Sequence, residues 1–190
     1  MPFYQLHINC DFDGLSLIGF PPSTEPQFRL ELSCGNCGEV NKNAVISLDD
    51  AHESEDGKTI LHYAAICKAC KVSIKAWICK LKPLIKEGNL KIKGSLPYIN
   101  EYYCQIGTPL SQGDDDDDDD GKKSNPQNTL FTVLEVRGAE VKDFEVINTE
   151  FHATNGKEFF SVGDLSADGF YDVNGDNESV SVTLLGYKVQ

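Results

Sequence analysis

A mainly β domain, an antiparallel sandwich or barrel-like fold, is what the 190-residue sequence predicts, with a zinc site built from two cysteine turns. Three observations predict it. Apolar and polar residues alternate over short stretches along most of the chain, the period of a strand with one buried face. No long stretch carries a helical period. Two Cys-x-x-Cys pairs, Cys34/Cys37 and Cys67/Cys70, each follow one strand-like run and precede another.

The elements follow in order. In residues 3–10, Tyr4, Leu6, Ile8 and Cys10 alternate with Phe3, Gln5, His7 and Asn9, so a half-buried strand is expected. Pro21, Pro22 and Pro26 make 19–26 a loop. Strands are expected at 28–32, running into Cys34, and at 44–48, followed by a polar stretch that turns at Gly57. Residues 59–66 predict a strand that delivers Cys67. Val72, Ile74, Ala76 and Ile78 then form one face of a strand leaving the second pair, and 101–106 predicts another.

Residues 111–128 contain no apolar core and hold seven consecutive aspartates, Asp114 to Asp120. A like-charge block of this kind predicts a solvated or disordered insertion. Calcium chelation is the weaker reading, because adjacent carboxylates lack the turns that converge ligands on one ion. Beyond it, strands are expected at 130–136, 144–147, 158–162, 180–184 and 186–189. The organisation predicted is a first β half over 1–110 carrying the zinc site, the acidic insertion at 111–128 and a second β half over 129–190, within one compact domain. A faint repeat supports two halves: Phe28 to Glu39 and Phe131 to Glu140 both run a strand into a glycine-containing turn.

Hydrophobic residues make up 40 % and charged residues 25 %, a soluble globular composition. The net charge is -13, but the aspartate run supplies seven of those charges, so the remainder is mildly acidic. Nothing forms a basic footprint for nucleic acid or for an anionic membrane. No apolar run reaches bilayer length, no secretory signal opens the sequence, and no lipidation motif is present. A cytoplasmic monomer is expected, with the nucleus open to it.

Seven cysteines without a secretory signal argue for metal or redox chemistry rather than a disulfide framework. In Cys34-Gly35-Asn36-Cys37-Gly38, the glycines permit the tight backbone turn by which two thiolates reach one ion. Lys68 and Lys71 set positive charge beside the second pair. Four sulfurs give a closed tetrahedral zinc shell, a structural rather than hydrolytic site. Such an ion contributes folding free energy on the order of 10 kcal/mol in zinc-finger peptides. A redox dithiol would want one pair at a helix N-terminus, and none is predicted. Cys10, Cys79 and Cys104 lie in apolar strand contexts and are expected to be buried small hydrophobes. His7, His52, His62 and His152 show no ligand spacing; His62, five residues before Cys67, is expected to be a core or surface histidine rather than a support for the metal. Asp172-Val-Asn174-Gly-Asp176-Asn-Glu178 begins like a calcium loop, then fails at Asn177 and Thr183, so a β-turn is expected. No phosphate loop or nucleophile motif is present.

With these residues in hand, the sequence resembles the eukaryotic CXXC motif-containing zinc-binding proteins, a conserved family of unknown function. The resemblance rests on Leu32-Ser-Cys34-Gly-Asn-Cys37-Gly-Glu39, on Cys67-Lys-Ala-Cys70, on Leu134 to Phe144 with its Arg137-Gly138 step, and on Phe170 to Val180. It implies an all-β domain of two similar halves with one zinc on Cys34, Cys37, Cys67 and Cys70. The chain departs from the pattern in the aspartate run and in Val136, where relatives often carry cysteine. The function expected is a non-enzymatic zinc-binding module that engages an unknown protein partner. The alternatives are a thiol-redox or metal-transfer protein using the CxxC pairs and, opposed by the charge, a nucleic-acid module.

Overall fold

Leu6, Ile8 and Cys10, at alternate positions of β1 (Phe3–Asp13), are completely buried, which makes this long strand the spine of the largest sheet. The computed structural model describes residues 2–21, 24–54, 57, 60–88, 101–107, 127–165 and 168–190. The aspartate run and the rest of 108–126 lie outside the described residues. After β1 come β2 (Leu17–Gly19), β3 (Gln27–Cys34), β4 (Val40–Ile46), β5 (His52–Glu53), β6 (Ile60–Leu61), β7 (Tyr63–Ile66) and β8 (Ser73–Ile78). A short helix, α1 (Leu81–Lys86), precedes β9 (Ile106–Gly107), β10 (Gln127–Arg137), β11 (Ala139–Ile147), β12 (Phe151–Thr154), β13 (Phe159–Gly163), β14 (Phe170–Val173) and β15 (Ser179–Val189).

These strands build curled antiparallel sheets. Six strands run in the order β14-β15-β1-β10-β8-β7, three in the order β11-β3-β4, four in the order β13-β12-β2-β9, and β5 pairs with β6. Strands from before and after 111–128 share sheets: β1 lies between β10 and β15, and β3 between β11 and β4. The main core fills the space between, with Phe20, Phe28, Tyr103, Phe131 and Phe151 packed ring to ring. No helix among the described residues is long and apolar enough to cross a membrane.

Several expectations change. The stretch 101–106 is not a strand: only β9 and a single bridge at Cys104 form there. Tyr103 is anchored by its ring instead, 5.7 Å from that of Phe131 and wholly buried. The run 59–66 is broken at His62, whose Nδ1 accepts the Ile78 N–H at 3.0 Å and so stands in for a carbonyl in the ladder. The two terminal strands are one, β15, with a bulge opposite Asn9 and Cys10 that keeps pairing continuous through Gly186. Of the β-turn expected over 172–178, Asp172 and Val173 belong to β14, and the turn itself runs from Asn174, whose Oδ1 accepts the Asp176 and Glu178 N–H groups. The matched repeat segments meet at matched positions: the Phe28 and Phe131 rings are 5.6 Å apart, and the Gly35 N–H donates to the Gly138 carbonyl at 3.0 Å.

Candidate metal centre

The two cysteine turns have the same backbone. In the first, the Cys34 N–H donates to the Glu39 carbonyl at 2.8 Å and the Gly38 N–H to the Cys34 carbonyl at 2.9 Å. In the second, the Cys67 N–H donates to the Val72 carbonyl at 2.9 Å and the Lys71 N–H to the Cys67 carbonyl at 3.0 Å. Each turn closes on a left-handed residue after the second cysteine: Gly38 with φ 76° and Lys71 with φ 64°. Gly35 is not left-handed, so the freedom expected of both glycines is needed only at Gly38. Lys71 holds its strained φ while its Nζ donates to the Lys68 carbonyl at 3.0 Å.

What brings the turns together is the β10–β11 corner. β10 ends with Arg137 opposite Lys75 of β8, and β11 begins with Ala139 opposite Cys34 of β3. Between them Gly138 has φ 80°, and a Cβ there would run into the Ser73 carbonyl oxygen. One glycine thus lets the chain leave the six-stranded sheet, which carries the second turn, and enter the three-stranded sheet, which carries the first. The sequence marked Arg137-Gly138 as a strand end; its place between the cysteine turns was not visible there, because it depends on pairing across distant segments.

The four sulfurs converge. Cys34 Sγ lies 3.6 Å from Cys70 Sγ, and Cys37 Sγ lies 3.6 Å from Cys67 Sγ. All four ligand atoms fall within 4.8 Å of one another. A tetrahedron with zinc–sulfur bonds of ~2.3 Å has sulfur–sulfur edges of about 3.8 Å, so the cluster is the right size for one zinc ion. Cys34 and Cys67 are buried, Cys70 is half-buried and Cys37 is exposed, so the cluster meets solvent at one corner. All are free thiols, as are the remaining cysteines.

Hydrogen bonds act unequally on the thiols of this cluster. The Asn36 side chain, reaching across from the first turn, and the Val72 backbone N–H bring the Cys70 thiol down to about 6. The Glu39 backbone N–H acts the same way on Cys37, but Cys70, desolvation, Cys67 and Cys34 outweigh it and push that thiol up to about 12. Four sulfurs this close cannot all ionise alone; a divalent cation is the partner that lets them. Asn36 was not singled out by sequence reasoning, which saw it only as a turn residue.

The other candidates separate cleanly from this centre. Cys10, Cys79 and Cys104 are buried, and burial pushes each thiol up to about 12, as expected of small core residues. His62 is a core histidine bonded to Ile78. Beside the cysteine turns lies a shallow cavity of about 690 Å³, bordered by Tyr4, Asn36, Val72 and Arg137. The Arg137 guanidinium sits 4.9 Å from the centre of the Trp77 ring.

Solved structures that share this fold include two that match over the whole of this chain. The crystal structure of C1orf123 is 17 % identical, with a TM-score of 0.67 over 100 % of this chain and 98 % of that one. A hypothetical protein from Plasmodium falciparum is 13 % identical, with a TM-score of 0.67 over 100 % of both chains. No curated protein matches the chain. The profile of the family described as "CXXC motif containing zinc binding protein, eukaryotic" matches residues 5–190.

Proposed function

The chain belongs to the eukaryotic CXXC motif containing zinc binding protein family, and from that premise we propose that it is a zinc-stabilised, non-enzymatic module for protein interaction. Cys34, Cys37, Cys67 and Cys70 would hold the ion, and a shell of four thiolates leaves no open position for water or substrate. The observation that carries the reading is the convergence of all four sulfurs within 4.8 Å on two turns of identical backbone. Their positions link the three-stranded and six-stranded sheets at the β10–β11 corner, so an ion there would tie the two sheets together.

Elemental analysis of protein purified without added metal tests this. About one zinc per chain is expected. Removing it with a chelator should unfold the protein or lower its melting temperature sharply, since the metal's binding energy is then lost from folding. A Cys34→Ser/Cys67→Ser variant should lose both the zinc and the cooperative transition. A metal-free protein with unchanged stability would defeat the proposal.

The exposed Cys37 favours one second reading, metal transfer or thiol exchange through that corner. It predicts rapid zinc release to a competing chelator and fast alkylation of Cys37 in the zinc-loaded protein. The structural reading predicts slow release and protected thiols.

A further inference from the structure

The largest exposed aromatic residues lie away from the cysteine turns, beside open sheet edges. Phe159 on β13 is 82 % exposed, and Tyr171 and Val173 on β14 are 71 % and 56 % exposed. Single exposed hydrophobes are ordinary; a group of them on adjoining edges is not. The two edges adjoin because the Phe160 and Phe170 rings pack at 6.4 Å and the Glu158 carboxylate accepts the Gly175 N–H at 3.0 Å. Phe159 and Tyr171, next in sequence to that packed pair, turn to solvent.

Among the described residues, β14 is the last strand of the six-stranded sheet. At its turn the Asn174 N–H donates to the Glu178 carbonyl, and bonded pairs alternate along an antiparallel ladder. Tyr171 and Val173 therefore turn their backbone groups outward. Among the described residues, the Val173 N–H is met locally by Asp172 Oδ1 at 2.8 Å, a carboxylate placed where it blunts the edge.

The surroundings are acidic. Asp164, Asp168, Asp172, Asp176 and Glu178 are exposed and Glu158 half-buried, while Lys157, bound to Asp176 at 3.4 Å, is the single cation between residues 157 and 187. An open edge with apolar side chains and an anionic border has a defined complement. We propose that β14, with Phe159, Tyr171 and Val173, docks an extended basic segment of a partner protein that adds as a further strand. Apolar residues of that segment would cover Tyr171 and Val173, and its lysines or arginines would meet Asp172 and its neighbours. A second copy of this chain would bring the same negative charge to the contact and is disfavoured. The inference rests on the interaction-module reading and names the chemistry of the partner.

Calorimetry on the full-length, zinc-loaded protein tests it. The probe is a synthetic peptide of about nine residues alternating Lys with Val and Phe, compared with the same pattern carrying Glu for Lys and with a peptide that blocks all lysines at one end. The alternating basic peptide should bind with micromolar affinity that weakens as salt rises. Its affinity should fall at least about tenfold in Tyr171→Pro, which removes an outward N–H, and in Phe159→Ser/Val173→Ser, which leaves the backbone intact. The double variant decides if Tyr171→Pro fails to fold. Absence of saturable binding, equal binding of the acidic or blocked peptide, or affinity unchanged in the variants would overturn the proposal. So would self-association abolished by the variants, which would make a second copy the occupant. Zinc content measured on the same samples separates the two readings: zinc-loaded protein that ignores the peptide sinks this inference alone, whereas protein without zinc sinks the module reading.

Discussion

Gly138 and Gly38 share a left-handed backbone and differ in what surrounds them. A Cβ on Gly38 meets nothing within 4 Å, whereas one on Gly138 meets the Ser73 backbone. Gly38→Ala should therefore cost about 1 kcal/mol, the strain of the conformation alone. Gly138→Ala adds a clash with a backbone atom that cannot rotate away, and should cost on the order of 3 kcal/mol or more. Denaturant titration of the two variants under identical zinc loading checks the difference. His62 supplies a pH test. Desolvation holds its imidazole below the ordinary 6.5, His52 adding to the effect and Asp50 opposing it. The unfolded chain takes the proton first, so the contribution of neutral His62 is complete above pH 6.5 and declines as the pH falls below it. It stops declining once the folded imidazole also protonates. His62→Gln keeps an acceptor for Ile78 without a titrating ring. The stability difference between wild type and His62→Gln should be flat above neutrality and move against wild type on acidification.

At the scale of elements, what the sequence disclosed follows the range of the forces involved. β1, β3 and β8 were legible because Leu6, Ile8, Leu30, Leu32, Ile74 and Ile78 alternate inward, a purely local signal, and β10 because its run from Leu130 to Val136, buried at every position, is apolar at all but Thr132 and Glu135. The cysteine turns were legible for the same reason, since two ligands three residues apart define their own loop. β2, β12 and β14 were missed because three or four residues give no countable period, and they exist through their partners: Ala153 of β12 pairs with Ile18 of β2 on one side and Phe160 of β13 on the other. α1 was missed because it has six residues with Pro83 in its first turn, and it is held by Leu81 and Leu84 packing with Cys79, Cys104, Leu130 and Val133. Tyr102 to Cys104 mislead as a strand, since the buried Tyr103 ring, the Thr132 hydroxyl and one backbone bond from the Cys104 N–H to the Phe131 carbonyl fix them in place of a ladder. One of those bonds is testable: Thr132, fully buried on β10, donates to the Tyr102 carbonyl at 2.8 Å. Thr132→Val preserves shape and removes the donor, and should cost about 1–2 kcal/mol by denaturant titration.

For the whole molecule, the sheets and the proposed zinc ligands are interdependent. β1 sits between β10 and β15, and the cysteine turns are joined through residues 137–139, so no stretch of the chain completes the centre by itself. This makes a biosynthetic demand. A ribosome delivers Cys34 to Cys70 before it has made Gly138, the corner on which both turns lean. Until then the two turns lack the strand pairings through Arg137 and Ala139 that set one against the other. Assembly of the four-sulfur cluster therefore waits for residues 137–139, and a chain that stops short of Gly138 would lack the corner that joins its two cysteine turns.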